Sequence, residues 1–394
     1  MKKKLLMTAS TFPRWKGDTE PRFVLDLAKA LLKYFDVTVL APAAVGAKEK
    51  EILEGVKVIR YHYLPFHNLE TLCYPGAIVP RIKERKIRAL QVPFLFFSLW
   101  WNLFKLRNRY DFVHAHWLIP QGIVQPFVHS NYIVTGHGAD VTSLNKSVIK
   151  VLKRLCLENA KHITVVSEKL KLDIMKQYGI HKNKISVISM GCDTSNFSPS
   201  YRNADYFKKN GKKNIIFVGR LAEKKGVKYL IDAMQYIDAN LYIVGKGPLE
   251  KELKKQALKY KNKITFLGPK THQELPEIYA SADVFVAPSV TAEDGDQEGF
   301  GLVIIEAMAS GTPVVASRSG GIVDIIQDGE NGFLTEEKNT VELAQKINCL
   351  INNKEIYEKI KIHGLETVQQ YDYKNIALKY KKIIDVYIKQ NGEK

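Results

Sequence analysis

Apolar strand-like runs alternate with helical patterns along nearly the whole chain, and this alternation limits the possible folds more than any other feature. Parallel strands need long crossover connections, usually helices, so such alternation is typical of a parallel sheet covered by helices. The 394 residues are enough for two units of this kind. We therefore predict an α/β protein with two Rossmann-like doubly wound domains that face each other across a cleft.

The predicted strands form two groups, separated by a stretch rich in turn residues. That stretch, residues 191–210, has no periodicity and is predicted to link the domains. We place the first domain at residues 1–192 and the second at 193–374, with the helical pattern of residues 375–394 returning to the first. The predicted strands are residues 4–9, 37–41, 56–63, 112–117, 132–135, 163–167, 185–188, 214–218, 240–244, 264–267, 283–287 and 313–316.

Composition narrows the classes of partner and the compartment. The net charge of +18, from 59 basic and 41 acidic residues, favours an anionic partner. We find no nucleic-acid reader motif and so predict no nucleic-acid partner. The four cysteines are scattered without a CxxC pair, which argues against a zinc site and favours a reducing, cytoplasmic compartment. The N-terminal apolar run is too short for a signal peptide, and no window is long enough to span a bilayer.

One segment is unusually aromatic and basic. Residues 92–106 read VPFLFFSLWWNLFKL, and the window 81–109 holds eight basic residues against one acid. Such a segment could lie on an anionic membrane surface with its basic flanks on the lipid headgroups. The alternative is a buried core helix between two strands, and both interpretations hold if only the start and the flanks of the helix are exposed.

A strand, a loop and a helix at residues 283–309 predict an anion site. The strand DVFVAPS is followed by an acidic loop and by an apolar helix at 302–309. The free N–H groups and the dipole of a helix start favour a bound phosphate. Gly299 and Gly301 would let the backbone approach a bulky ligand. Glu298 and Glu306 are suited to sugar hydroxyls, which a carboxylate binds strongly.

Two further strand ends carry candidate binding residues. Strand 214–218 runs into GRLAEKKG, in which Arg220 and Lys225 suit a diphosphate, although either could be a solvated surface residue. Strand 132–135 ends in a histidine between two glycines, His137, which we expect to be exposed to the cleft rather than packed. Asp140 could orient that histidine or cap the next helix.

Two more histidines, His114 and His116, close the preceding strand. We expect them on opposite faces of the strand, where they could not bind one metal ion together. We therefore assign no metal site.

Together these motifs resemble the retaining nucleotide-sugar glycosyltransferases of family 4, which have the GT-B fold. The resemblance covers nearly the whole chain. It rests on the glycine-containing loop after the first strand, HGAD at residues 137–140, GRLAEKKG at 219–226, E-x7-E at 298–306, and the later AMASGTPVVAS and GG segments.

The resemblance implies a donor diphosphate held in the second domain. Arg220 and Lys225 would bind the diphosphate and stabilise the leaving group. The backbone N–H groups of Phe300, Gly301 and Leu302 would add to that cradle. Because the basic pair would replace a metal ion, no metal and no cofactor are expected.

The resemblance also implies positions for the other parts of the donor. Glu298 would bind the hydroxyls of the donor sugar, Glu306 the ribose, and His137 the sugar near its reacting carbon. Gly17 would let its loop approach the phosphates. The strand that ends at Gly268 would offer backbone contacts to the base. Transfer would retain the anomeric configuration, with the departing phosphate accepting the proton of the acceptor.

The stretches PRWKGDTEP and SVTAEDGDQEG are most similar to enzymes of cell-surface polysaccharide or lipopolysaccharide assembly. The implied partners are a nucleotide-sugar donor and a glycan or lipid-linked acceptor. The implied location is the cytoplasm, peripheral on the inner face of the cell membrane. Two alternatives stay open: a nucleotide-sugar epimerase or phosphorylase of the same fold, and a non-enzymatic basic protein that binds membranes.

Overall fold

The computed structural model describes residues 2–129, 131–144, 147–207, 210–260 and 262–392. The chain divides into two units. One consists of Met1–Gly191 together with Tyr373–Lys394, and the other of Cys192–Asp372. Each unit is built on one sheet in which strands alternate with helices along the chain. The predicted fold class, two α/β domains of Rossmann-like type, is confirmed.

The sheet of the first unit has the strand order β3-β4-β2-β1-β5-β6-β7-β8. All neighbouring strands are parallel except β3, which is antiparallel to β4. The order reverses next to β1, as in doubly wound sheets, whose ligands bind at the carboxyl ends of the strands. The strands are β1 (Lys4–Thr8), β2 (Asp36–Pro42), β3 (Lys50–Leu53), β4 (Val56–Tyr61), β5 (Phe112–His116), β6 (Tyr132–Gly136), β7 (His162–Val165) and β8 (Ile185–Val187).

The last helix of the chain belongs to the first unit. Its apolar residues, among them Ile376, Tyr380 and Ile384, share a buried core with Leu25 and Leu31 of the first helix. The predicted return of the C-terminal helix is therefore part of the observed fold. The helices of this unit are α1 (Phe23–Leu31), α2 (Ile78–Glu84), α3 (Val92–Leu106), α4 (Ala139–Thr142), α5 (Ser147–Asn159), α6 (Glu168–Tyr178) and, at the end of the chain, α13 (Tyr373–Gly392).

The sheet of the second unit is fully parallel, with the order β11-β10-β9-β12-β13-β14. Its strands are β9 (Lys213–Val218), β10 (Ala239–Val244), β11 (Ile264–Gly268), β12 (Val284–Ala287), β13 (Val314–Ser317) and β14 (Phe333–Thr335). Its helices are α7 (Val227–Ala233), α8 (Glu250–Ala257), α9 (Leu275–Ser281), α10 (Leu302–Ala309), α11 (Thr340–Asn352) and α12 (Lys354–Val368).

The sequence missed two edge strands. β3 reads KEIL and leaves Ile52 72% exposed, so it has no apolar run to mark it. β14 has only three residues, FLT, which is too short for a periodic pattern. Each of these two strands can be recognised only from its pairing with a neighbouring strand. The residue pattern of one strand does not show that pairing.

The aromatic segment forms a helix, α3, with the predicted bounds, but it is not a core helix. Only Leu95, Leu99 and Leu103 are buried. The core-helix alternative is therefore wrong, since the aromatic residues lie largely outside the buried stripe. Among the helices within the described ranges, none is both long and apolar enough to cross a membrane.

Candidate active site

The candidate donor site of the second unit lies where two neighbouring strands end. β9 and β12 pair in parallel, with Ile215 opposite Val284, so their carboxyl ends meet at one edge of the sheet. The GRLAEKKG loop follows β9, and the acidic loop that leads to α10 follows β12. Both predicted phosphate-binding segments therefore lie at the same edge.

An ion pair joins the two loops. Lys225 Nζ donates a hydrogen bond to Glu298 Oε2, and each side chain is only 15% exposed. A pocket beside the pair is lined by Lys225 and Glu298 together with Phe217, Ser289 and Gly301. The structure thus brings together three residues that the sequence assigned to donor binding: Lys225, Glu298 and Gly301.

The charge state of Glu298 follows from its surroundings. Burial would raise the pKa of this carboxyl, but the charges of Lys225 and Lys224 and the hydrogen bonds from Lys225 and the Gly299 N–H lower it, so that the net shift is downward. Glu298 is therefore a carboxylate at neutral pH. Lys224 also pairs with Asp296 at 3.0 Å. Lys224 was not among the predicted site residues, although the adjacent lysines and the acidic loop were a usable signal.

Helix α10 begins beside the ion pair. Gly301 precedes the helix with a left-handed φ of 106°, and its carbonyl accepts the Ile304 N–H at 2.9 Å. The N–H groups that precede Ile304 at this helix start have no acceptor within the helix. Phe300 is buried and packs edge-on against Tyr371, with ring centroids 5.7 Å apart. This packing fixes the start of the helix next to Lys225, as an anion site requires.

Two glycines allow the loops to touch. A β-carbon on Gly226 would lie 1.8 Å from the carbonyl oxygen of Pro288, and one on Gly320 would lie 2.0 Å from that of Glu298. The Gly321 N–H donates to the same Glu298 carbonyl at 2.9 Å. The GG segment, to which the sequence analysis gave no role, therefore supports the backbone of Glu298.

Three other predicted donor residues lie in the second unit without contacting the ion pair. Arg220 is exposed, and its side chain makes no hydrogen bond or ion pair with the described residues. Glu306 is buried in α10 and accepts a hydrogen bond from the Tyr279 hydroxyl at 3.0 Å. Gly268 ends β11 and accepts the Gly245 N–H through its carbonyl at 2.9 Å. Their roles stay predictions.

His137, in the first unit, is packed by aromatic rings. Its ring centroid lies 5.0 Å from that of Phe23 and 5.0 Å from that of Trp117, and its Nε2 lies 3.1 Å from Nδ1 of His116. His137 is partly exposed as well as packed, so only the expectation that it is not packed is wrong. Burial lowers the pKa of His137 to about 3, so the ring is neutral near pH 7. Its Nδ1 has no hydrogen-bond partner among the described residues.

The expectation that His114 and His116 lie on opposite faces of their strand is also wrong. Their ring centroids are 4.1 Å apart, because residues two apart in a strand share a face. His114 Nε2 lies 2.7 Å from the Thr135 hydroxyl oxygen. Within the described ranges, no group of three or more His, Cys, Asp or Glu side chains is arranged to hold a metal ion. Independence from a metal stays a prediction.

Asp140 holds the backbone of the histidine loop. Its Oδ1 accepts the N–H groups of His137 and Gly138, each at 2.9 Å, and its Oδ2 accepts that of Leu118 at 2.9 Å. Burial raises its pKa more than these bonds lower it. Asp140 thus holds the backbone of His137, in keeping with the suggested role of orienting that histidine, whereas the start of α4 has no side-chain cap hydrogen bond. Donor binding by Asp140 stays a prediction.

Gly17 lies in a loop that is folded back on itself. Its φ of 83° is left-handed, and no atom would lie within 4 Å of an added β-carbon. Asp18 accepts hydrogen bonds from the backbone and guanidinium of Arg14, and Arg60 donates to the Pro13 carbonyl at 2.9 Å. The loop is thus fixed around Gly17, whose approach to the phosphates stays a prediction.

The buried histidines predict acid sensitivity. Burial lowers the pKa of His114 and of His137 to about 3, and that of His116 well below its usual value. In the unfolded chain these histidines bind protons near pH 6.5, whereas in the folded chain they do not. The free energy of unfolding therefore decreases as the pH falls below about 6.5, by roughly 1 kcal/mol per pH unit for each histidine. Melting temperatures at pH 7.5 and pH 5 should show this loss.

The variant His114→Gln should reduce this pH dependence, because it removes one buried imidazole. Equal pH dependence in wild type and His114→Gln would contradict the assignment.

Comparisons with known proteins agree on one family. The model of Glycosyltransferase Family 4 matches residues 21–196, and that of Glycosyl transferases group 1 matches residues 202–366. Two uncharacterized glycosyltransferases of Methanocaldococcus jannaschii are 28% identical over 85% of this chain and 92% of theirs, and 30% identical over 71% and 75%. The structure of Anabaena HepE in complex with UDP-glucose has a TM-score of 0.72 at 22% identity, covering 98% of this chain and 100% of that one.

Proposed function

Because the chain belongs to the glycosyltransferases of family 4, which have the GT-B fold, we propose that it transfers a sugar from a nucleotide-diphosphate donor to a glycan or lipid-linked acceptor. The observation that carries the proposal is the ion pair of Lys225 and Glu298 beside the first turn of α10. It sets a cation, a carboxylate and a helix start around one pocket. These are the groups that a sugar diphosphate needs.

The diphosphate would bind at the cationic side of this pocket. Lys225 offers an ammonium group, and the first turn of α10 offers N–H groups, both of which favour a phosphate. Arg220 follows β9 after a single residue and is unpaired toward the described residues, so its guanidinium is available to the same phosphates. Donors fixed before the reaction stabilise the negative charge that develops on the leaving group.

The sugar and the ribose would bind at the carboxylates. Glu298 is ionised, and its carboxylate could accept hydrogen bonds from sugar hydroxyls in addition to those from Lys225 and the Gly299 N–H. Glu306, which is buried in α10 and accepts a hydrogen bond from the Tyr279 hydroxyl, would bind a ribose hydroxyl. His137, a neutral ring, is suited to a hydroxyl ligand rather than to a phosphate.

We further propose that transfer retains the anomeric configuration. The departing phosphate, held by Lys225, would accept the proton of the acceptor hydroxyl as the new glycosidic bond forms on the same face.

The free sulfhydryl groups of all four cysteines support a reducing, cytoplasmic location.

A thermal-shift screen with UDP-, GDP- and ADP-sugars tests the proposal. One nucleotide class should raise the melting temperature by several degrees, because a ligand at about 100 times its Kd adds about 2.7 kcal/mol to the folded state. UDP-glucose is the first donor to test, since the similar HepE binds it. The variant Glu298→Gln should shift less with the sugar nucleotide than the wild type. Failure of all three classes to shift the wild type would contradict the proposal.

Incubation with the donor alone separates transfer from epimerisation. A transferase should leave the sugar unchanged without an acceptor, apart from slow hydrolysis, whereas an epimerase needs no acceptor. Proton NMR of the product made with an acceptor reports whether the anomeric configuration is retained. An inverted product would contradict retention while leaving transfer intact.

A further inference from the structure

The solvent face of helix α3 is aromatic, although such a face is normally polar. Phe94, Phe97 and Trp101 are 53%, 64% and 42% exposed. Leu90, in the 3-10 turn that leads into the helix, is 67% exposed. An ordinary surface helix places charged residues on the side away from the core. This side of α3 therefore needs an apolar partner.

The four exposed residues form one line. Leu90, Phe94, Phe97 and Trp101 follow the spacing i, i+4, i+7, i+11, which places them on one side of a helix. The buried stripe of Leu95, Leu99 and Leu103 lies on the opposite side and anchors the helix to its unit. We call the exposed line the aromatic ridge. A helix of this length is roughly 22 Å long, so the ridge is longer than a single side-chain pocket would require.

Cations stand at both ends of the aromatic ridge. Arg85 and Lys86 precede it, Lys105 and Arg109 follow it, and all four are exposed. We call these four residues the basic flanks. Lys105 Nζ lies 5.0 Å from the ring centroid of Trp101, and its stem therefore runs along the ridge. The acid of this segment, Glu84, is paired with Arg81 and Arg88. The flanks thus stay positive.

We propose that the aromatic ridge and the basic flanks form a docking surface for an anionic lipid bilayer. Aromatic rings are favoured at the boundary between headgroups and acyl chains, and cations at both ends of a helix reach the phosphates when it lies flat on the bilayer. Each basic residue near an anionic surface adds to the attraction. The helix would lie on the membrane without crossing it, which agrees with its length.

A second copy of the chain fits this surface less well than a bilayer. Two copies meeting by the same face would bring the basic flanks of one against those of the other, and like charges repel. An anionic bilayer satisfies the ridge and the flanks together. The surface lies in the first unit and uses none of the donor-site residues, so the inference goes beyond the proposed transfer reaction.

Vesicle sedimentation tests the inference with the full chain. Phosphatidylcholine vesicles with about one third phosphatidylglycerol should bind the wild type, while pure phosphatidylcholine should bind it weakly. The double variant Phe97→Ser/Trp101→Ser should need roughly tenfold more lipid for half binding, because it removes aromatic area from the contact. The variant Arg85→Glu/Lys86→Glu should lose the preference for anionic lipid and its sensitivity to salt.

A matched control lies on α6 of the same unit. Leu172 and Lys176 are exposed there, so Leu172→Ser/Lys176→Glu changes the same kinds of residue away from the proposed surface. This control should bind vesicles like the wild type. Equal binding by the ridge variant and the control would overturn the inference, as would a wild type that ignores anionic vesicles.

Two further measurements separate the possible outcomes. If the ridge mediates self-association instead, size-exclusion chromatography should show a dimer that Phe97→Ser/Trp101→Ser dissociates, with no vesicle binding, and the inference fails. Vesicle binding needs no donor, so Glu298→Gln should sediment with lipid like the wild type. Vesicle sedimentation therefore tests lipid binding, and the nucleotide-sugar screen separately tests the proposed transfer function. Failure of one can be distinguished from failure of the other.

Discussion

The variant Lys225→Ala is expected to reduce sugar transfer at least about a hundredfold, the usual cost of removing one fixed donor from a developing negative charge. The ammonium group of Lys225 is paired with Glu298 beside the start of α10. Its loss removes one of the two proposed cations from the diphosphate site. It also leaves the mostly buried carboxylate of Glu298 without the ammonium group that pairs with it. Initial rates with the donor identified by the thermal-shift screen measure the effect.

If the role of the pair were purely structural, transfer would recover together with stability in a double variant. A direct role predicts the following results instead. The single variant Lys225→Ala should lose roughly 1 to 3 kcal/mol of unfolding free energy, because a buried charge loses its partner. The double variant Lys225→Ala/Glu298→Gln should regain part of that stability, since the unpaired charge is gone, and still lack transfer. Recovery of transfer in the double variant would contradict a direct role for either residue.

Neighbouring residues of the same type serve as controls for this pair. Lys228 is exposed at the start of α7, and Glu293 is exposed in the same loop as Glu298. Lys228→Ala and Glu293→Gln should keep rates within about twofold of the wild type, because neither lies in the pocket. A large loss in either control would mean that charge anywhere in these loops, rather than the pair itself, governs the rate.

The variant Gly226→Ala is expected to lose about 3 kcal/mol or more of unfolding free energy. The new β-carbon would lie 1.8 Å from the carbonyl oxygen of Pro288, and both are main-chain positions that cannot simply rotate away. The two loops would have to separate, which would displace Lys225 from Glu298. Chemical denaturation measures the loss of stability, and the transfer rate should fall with it.

The control Gly329→Ala measures how much stability is lost through the left-handed backbone conformation alone. Gly329 has a φ of 79°, comparable in sign to the 61° of Gly226, but nothing would lie within 4 Å of its β-carbon. Its replacement should therefore cost only the left-handed conformation, about 1 to 2 kcal/mol. If both alanine variants lose the same free energy, close contact of the two loops is not what requires glycine at position 226.

Much of the fold was predictable because its signals are local. The strand that became β9 is a short apolar run before a glycine loop, and α10 is an apolar run after one; both were predicted almost to their observed ends. The strands β3 and β14 were missed because they depend on pairing at a sheet edge rather than on their own pattern. Strand alternation also gives the face of each residue, and it was misapplied to His114 and His116.

The candidate site residues could be proposed from the sequence, whereas the contacts that support them could not. Arg220, Lys225 and Glu298 lie in the loops that follow the ends of β9 and β12, where doubly wound sheets bind ligands, so their positions could be proposed without coordinates. The support of Glu298 by Gly320 and Gly321 could not, because it joins residues more than twenty positions apart through the backbone. The packing of His137 by Phe23 and Trp117 likewise depends on three separate elements.

By itself the sequence determined the α/β class, the two groups of strands and the motif residues that identify the family, because hydrophobic periodicity and turn chemistry act over a few neighbouring residues. Only the tertiary structure decided that Lys225 pairs with Glu298, that Asp140 holds a backbone loop, and that one side of α3 stays exposed. The physical reason is that burial, pKa and ion pairing depend on residues distant in the chain, and those distances are set only when the sheet assembles.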